Sequence, residues 1–129
     1  MNSAASGANR WIGIDHVQLA IPPGAEEVAR SFYVDVLGLV EVPKPAAMEA
    51  RGGAWFEAGD VRVHVGADEA FVPARKAHPA FLVDGVRDLV ESSGLDATWN
   101  HEIAGVERCH VADPFGNRIE LIEAGSEGR

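Results

Sequence analysis

Ile12-Gly-Ile-Asp-His-Val-Gln-Leu-Ala-Ile21 is the stretch on which the fold turns. Val17, Leu19 and Ile21 alternate with His16, Gln18 and Ala20, and a period of two is that of a strand with one buried face. Pro22, Pro23 and Gly24 stop it, and Glu26 and Glu27 suit the positive end of a following helix. In that helix Val28, Phe32 and Val36 fall on one stripe, with Gly38 as the stop. Shorter strands are expected at Leu39 to Val42, at Ala54 to Ala58 and at Val61 to Gly66, the last two joined by the tight hairpin Gly59-Asp60. Beyond residues 67–76 the order restarts. Ala77 to Val83 reads as a strand and Asp84 as an N-cap. The next helix carries Val86, Leu89 and Val90 inward and stops at Gly94. Strands at Ala97 to His101 and Arg108 to Ala112, the turn Asp113-Pro-Phe-Gly-Asn117 and a last strand Arg118 to Glu123 complete it. Each half reads βαβββ.

The chain has 129 residues, of which 47% are hydrophobic and 24% charged, which is the composition of a folded protein with a real core. Two halves of roughly 60 residues are each too small for a large core of their own. They are expected to act as modules, about 11–66 and 77–124, of one domain spanning 11–124 with 67–76 as linker. Residues 1–10 read as a loose arm without the apolar stretch of a secretory signal, and 125–129 as a tail. Net charge is -9, from 20 acidic against 11 basic residues. With no basic patch, nucleic acid and polyanionic membranes are unsuitable partners, and no apolar run reaches the roughly 20 residues of a membrane span. The single Cys109 has no partner for an internal disulfide, in keeping with a cytoplasmic location.

Four strands carry one metal-competent side chain each on the face opposite their apolar residues. His16 opposes Val17, Leu19 and Ile21, and His64 opposes Val61, Val63 and Val65. His78 opposes Pro79, Phe81 and Val83, and Glu120 opposes Ile119 and Leu121. A lone histidine in a strand is usually structural and a lone outward glutamate usually solvated. Here, however, His16 and His78 stand on the first strand of each half, and His64 and Glu120 on the last. A pseudo-twofold arrangement brings all four together, and imidazoles with one carboxylate suit Zn, Ni, Fe, Mn or Co.

At these residues the chain resembles the vicinal oxygen chelate superfamily, which contains the glyoxalases, the bleomycin-resistance proteins and a group of dioxygenases. The matching segments are Gly13 to Ile21, Ala29-Arg-Ser-Phe-Tyr-Val-Asp-Val-Leu-Gly-Leu39, Ala77-His-Pro-Ala-Phe-Leu-Val83 and Asp113-Pro-Phe-Gly-Asn-Arg-Ile-Glu-Leu121. The resemblance implies an α+β fold, two βαβββ modules forming a curved, mixed, mostly antiparallel sheet around a divalent metal. It places His16, His64, His78 and Glu120 on the four ligand positions. It also implies a homodimer, in several relatives with the metal held from two chains. Glyoxalase I usually has a glutamate where this chain has His64, so the net charge of the site is more positive here. The implied activity is that of a glyoxalase-like enzyme that binds two vicinal oxygens of a small substrate and stabilises an enolate or related oxyanion, in isomerase, lyase or transferase chemistry. Glu120 and His64 are the candidates for proton transfer. The alternatives are an extradiol-type dioxygenase using Fe(II) and a protein that sequesters an antibiotic or aromatic ligand without turnover.

Gln18 and Arg62 share faces with His16 and His64, and Arg118 shares one with Glu120, so each is a candidate for the substrate pocket. Phe56 and His110 complete that set. Trp55 and Phe56 alternate, which puts one in the cavity and one in the core. Cys109 is expected to be a small buried side chain.

Overall fold

β1 (Val17–Ile21) begins where its alternating residues first reach the core, with Leu19 and Ile21 buried. The computed structural model describes residues 10–127. The expected arm therefore lies outside the described residues except for Arg10, as do the last two residues of the tail. Residues 11–16 have no regular structure, although the alternation runs into them. The cause is the partner strand. β1 pairs in parallel with β4 (Val61–Ala67) through Val17↔Val63, so nothing upstream of Asp15 has a strand to pair with. His16 is one residue short of the first β1–β4 pair and so stands just ahead of its strand.

The first helix, α1 (Glu26–Arg30), continues into a more widely wound segment, Ser31–Val36, closed by the Leu37 N–H donating to the Phe32 carbonyl at 2.9 Å. Its buried residues are Ala29, Phe32 and Tyr33, not the expected stripe of Val28, Phe32 and Val36. Turning the two adjacent aromatics inward hides more apolar area than turning in two valines, and Val28 is left half-exposed. β2 (Val40–Val42), a short 3-10 segment (Ala46–Arg51), β3 (Ala54–Ala58) and β4 follow, β3 and β4 being joined by the expected Gly59-Asp60 turn.

The second half repeats the order with β5 (Ala80–Val83), α2 (Val86–Ser93), β6 (Thr98–Asn100), β7 (Arg108–Ala112) and β8 (Arg118–Glu123). β5 starts three residues later than expected, because Pro79 has no N–H to give to a ladder, and His78, like His16, precedes its strand. Asp84 does not cap α2. The cap position is Gly85, at a φ of 90°, and the Glu123 carboxylate accepts hydrogen bonds from the Gly85 and Val86 N–H groups across the sheet. The architecture is the expected α+β pair of βαβββ modules. The strands form two open four-stranded sheets, ordered β1-β4-β3-β2 and β5-β8-β7-β6, each with one parallel pair.

One hydrophobic cluster draws on both halves, with Ile21, Tyr33, Phe56 and Val63 from the first and Val86, Ile119 and Leu121 from the second. A buried polar joint ties them. The Asp113 carboxylate accepts from the Tyr33 hydroxyl at 2.7 Å and from the Asn117 side-chain amide at 3.0 Å. The same Asn117 amide donates to the Ala20 carbonyl in β1, while its oxygen accepts from the Ala74 N–H. Asn117→Ala removes the bonds to Asp113, Ala20 and Ala74, but not the Tyr33–Asp113 bond, at a site only 1% exposed. Its expected cost is about 3 kcal/mol, since it strands buried polar groups, against about 1.5 kcal/mol for Tyr33→Phe. Urea titrations of the two variants measure both, and equal losses would remove the distinction.

Candidate functional site

β7 and β8 send Cys109, Val111, Ile119 and Leu121 to the core, which turns Arg108, His110, Arg118 and Glu120 to the other face. On that face His110 lies directly opposite Glu120 in the register, and His78 reaches over from the approach to β5. The Glu120 Oε1 atom is 3.1 Å from His78 Nε2 and 3.7 Å from His110 Nε2. Its other oxygen accepts from Arg108 Nη1 at 2.9 Å. His78 is oriented by its Nδ1, which donates to the Lys76 carbonyl at 2.8 Å and leaves Nε2 as the nitrogen facing the carboxylate. Among the described residues, His78, His110 and Glu120 are the group whose potential ligand atoms all lie within 4.8 Å of one another. His16 and His64 do not join it.

Those two sit together on the first sheet. His64 is buried in a stack, with the Trp55 ring at 4.0 Å on one side and the His16 ring at 4.0 Å on the other. A cavity of about 430 Å³ opens there, bordered by His16, Gln18, Met48, Trp55, Arg62 and His64. Arg62 is held 3.8 Å from Asp15 and 3.7 Å from Glu57. His16 and His78 both border a second cleft, of about 420 Å³, between the approaches to β1 and β5. A more apolar cavity of about 340 Å³ lies elsewhere, between Leu37 and Leu39 on one side and Phe81 to Asp84 on the other, and none of the site residues lines it.

Phe56, expected in the substrate pocket, is in the core, wholly buried and stacked on Tyr33. The alternation of β3 gives the cavity position to Trp55 instead. Cys109 is buried as expected, and burial pushes its thiol up from the ordinary value. Arg108 was not among the expected site residues, although it stands two positions from His110 on the same face of β7. Besides gripping Glu120, it donates through Nη2 to the Asn100 side chain at 3.0 Å, and its buried Nε has no partner among the described residues.

The two sheets place their site residues in equivalent registers. In the first, Gln18 pairs with His64 and His16 stands two residues ahead of Gln18. In the second, Ala80 pairs with Glu120 and His78 stands two residues ahead of Ala80. Among the described residues no helix is long and apolar enough to cross a membrane.

No protein-family model matches the chain, and no curated protein matches it. Solved structures do. A glyoxalase family protein from Bacillus anthracis is 44% identical with a TM-score of 0.84, the alignment covering 88% of this chain and 95% of that one. A lactoylglutathione lyase from Agrobacterium tumefaciens shares the fold at 20% identity, with a TM-score of 0.67 over 91% of this chain and 97% of that one. The fosfomycin resistance protein FosX from Listeria monocytogenes shares it at 12% identity, with a TM-score of 0.66 over 88% and 93%.

Burial lowers the pKa of His64, with the neighbouring His16 adding to the effect, and burial also lowers that of His110, with Arg118 adding to it. Burial pushes the Glu120 carboxyl up, but hydrogen bonds from Arg108 and His78 outweigh it and hold the group below its ordinary value. The signs are therefore separable. The fold keeps both imidazoles neutral to lower pH than the unfolded chain does, so this stability is fully present above the ordinary histidine value of 6.5 and is lost as pH falls from there to the lowered folded-state values. The carboxylate's contribution is lost only below its ordinary value of 4.5. Denaturation midpoints are expected to decline in two stages on acidification, the first missing from a His64→Gln, His110→Gln double variant.

Proposed function

The chain belongs to the glyoxalase family, within the vicinal oxygen chelate superfamily, and on that footing we propose that it is a metal-dependent enzyme acting on two vicinal oxygens of a small substrate. The observation that supports this reading most is the repeated register. Two unrelated stretches of sequence set a metal-competent pair at the same two points of their sheets, His16 with His64 and His78 with Glu120. The donors fit a divalent ion, since borderline nitrogen ligands and one carboxylate suit Zn, Ni, Fe, Mn or Co. His16, His64, His78 and Glu120 would hold it. When bound, the ion supplies positive charge to a developing substrate oxyanion.

The chain's own groups divide the remaining work. Lys76, through its carbonyl, and Arg108 fix the orientation of His78 and Glu120. Trp55 and Met48 give the cavity an apolar wall beside the polar Gln18 amide. Of the two proton-transfer candidates, Glu120 has both oxygens engaged, by Arg108 and His78. His64 faces the cavity and makes no hydrogen bond to the described residues, so proton transfer falls to His64 as a displaced ligand, while Glu120 keeps a holding role. The reaction class is isomerisation, addition or elimination beside a carbonyl. Because His16 and His64 do not join His78 and Glu120 within the chain, the full set assembles in a homodimer, each copy giving one pair.

The grouping of two histidines with one carboxylate, His78, His110 and Glu120, favours a second reading, oxygen chemistry with Fe(II). Metal analysis of protein purified without added metal separates the readings. One divalent ion per chain, lost in His78→Ala and Glu120→Ala, supports an enzyme; no binding even after reconstitution overturns it and leaves a sequestering protein. Iron with oxygen uptake on a catechol selects the second reading over the first. Sedimentation at micromolar concentration is expected to give twice the chain mass of 13.7 kDa, and a monomer would overturn the shared site.

A further inference from the structure

We propose that each protomer carries a divalent-ion site of its own on the second sheet, made by His78, His110 and Glu120, with His110 as a ligand, so that a single chain takes up metal before His16 and His64 are engaged. The inference rests on the metal reading above but not on its four-residue ligand set, in which His110 has no place.

The ring geometry carries the argument. An imidazole binds a metal through a lone pair in the plane of the ring. The His78 and His110 rings stand edge to face, with centroids 5.3 Å apart and planes at 80°, an arrangement that lets two in-plane lone pairs meet at one point. The His16 and His64 rings are stacked with planes at only 16°, so their lone pairs run side by side and do not converge without a ring turning. The first sheet is unready for an ion and the second is ready.

Distances agree. Ligands about 2.1 Å from a tetrahedral ion lie about 3.4 Å from one another. The Glu120 Oε1 atom is 3.1 Å from one imidazole nitrogen and 3.7 Å from the other, and all three ligand atoms fall within 4.8 Å. The supporting contacts are also in place. Arg108 occupies the second Glu120 oxygen and leaves Oε1 as a single-point ligand, and the Lys76 carbonyl selects His78 Nε2. The three side chains are 9%, 13% and 25% exposed for Glu120, His110 and His78, so the site is partly desolvated yet open on one side. Two imidazoles and one carboxylate leave positions free for solvent, substrate or further ligands.

Zn²⁺ titrated against a chromophoric chelator, on the full chain, tests this. His110→Ala and His110→Gln are both expected to weaken binding about tenfold or more, the loss typical of a disrupted metal site. A His16→Ala, His64→Ala double variant is expected to keep wild-type affinity for the first ion. Should the His110 variants fail to fold, Co²⁺ added to the wild-type protein gives a second readout, strong paramagnetic shifts of the His110 ring protons in NMR spectra. Wild-type affinity in the His110 variants, with loss in His78→Ala, overturns this inference and leaves the metal reading standing. Loss in the His16, His64 double variant does the same. No Zn²⁺ binding by the wild-type chain overturns both.

Discussion

Asp113 and Asn117 form a buried polar joint that seats one module against the other. The turn Asp113 to Asn117 sets the start of β8, and hence the height at which Glu120 meets His110 and His78. It is locked from within by Asp113, whose Oδ1 accepts from the Phe115 and Asn117 N–H groups. It is docked from without by the Tyr33 hydroxyl and the Ala20 carbonyl of the other half. Burying a carboxylate is costly unless its oxygens are matched, and here every bond that matches them also fixes a geometry. The joint thus specifies the packing of one module on the other as much as it stabilises it.

That joint explains why two similar half-structures do not behave as independent units. The buried faces of both sheets feed one apolar cluster, and the polar contacts at its border set the relative position of the modules. The faces left over are those bearing the histidines and glutamates. A strand has only two faces, so filling one with Val63, Val65, Ile119 and Leu121 delivers His64 and Glu120 to the other without further design. The site is in this sense a by-product of core patterning, refined by Arg108 and the Lys76 carbonyl.

This is also why so much was legible from sequence. Period-two alternation gave the strands and the faces of His64 and Glu120, and the Gly59-Asp60 pair gave the hairpin. Alternation failed where pairing or hydrogen bonding decided the outcome. His16 stands one residue short of the first β1–β4 pair, and His78 precedes its strand because Pro79 cannot donate. Asp84 lost the cap to Glu123, a residue 38 positions further on in hydrogen-bond separation from Gly85, which no local pattern reveals. Phe56 and Trp55 were symmetric in sequence and were separated only by which ring Tyr33 stacks against. Arg108 was overlooked although its face was readable, because a lone arginine on a short strand gives no sign of the carboxylate it grips two strand positions away.

The electrostatics of the second sheet bear on what such a site selects. The chain carries a formal net charge of -9, but Glu120 is already matched by Arg108 at 2.9 Å, with two imidazoles beside it. A carboxylate paired in this way does little to neutralise a divalent ion, and His64 adds no charge where a second carboxylate would remove one. On the metal reading, a divalent ion held there would therefore keep much of its positive charge in an otherwise acidic protein. Such a charge favours substrates that gain negative charge as they react over those that are neutral throughout. On the same reading, a site with two carboxylate ligands would differ, because the ion's charge would be cancelled before substrate arrived.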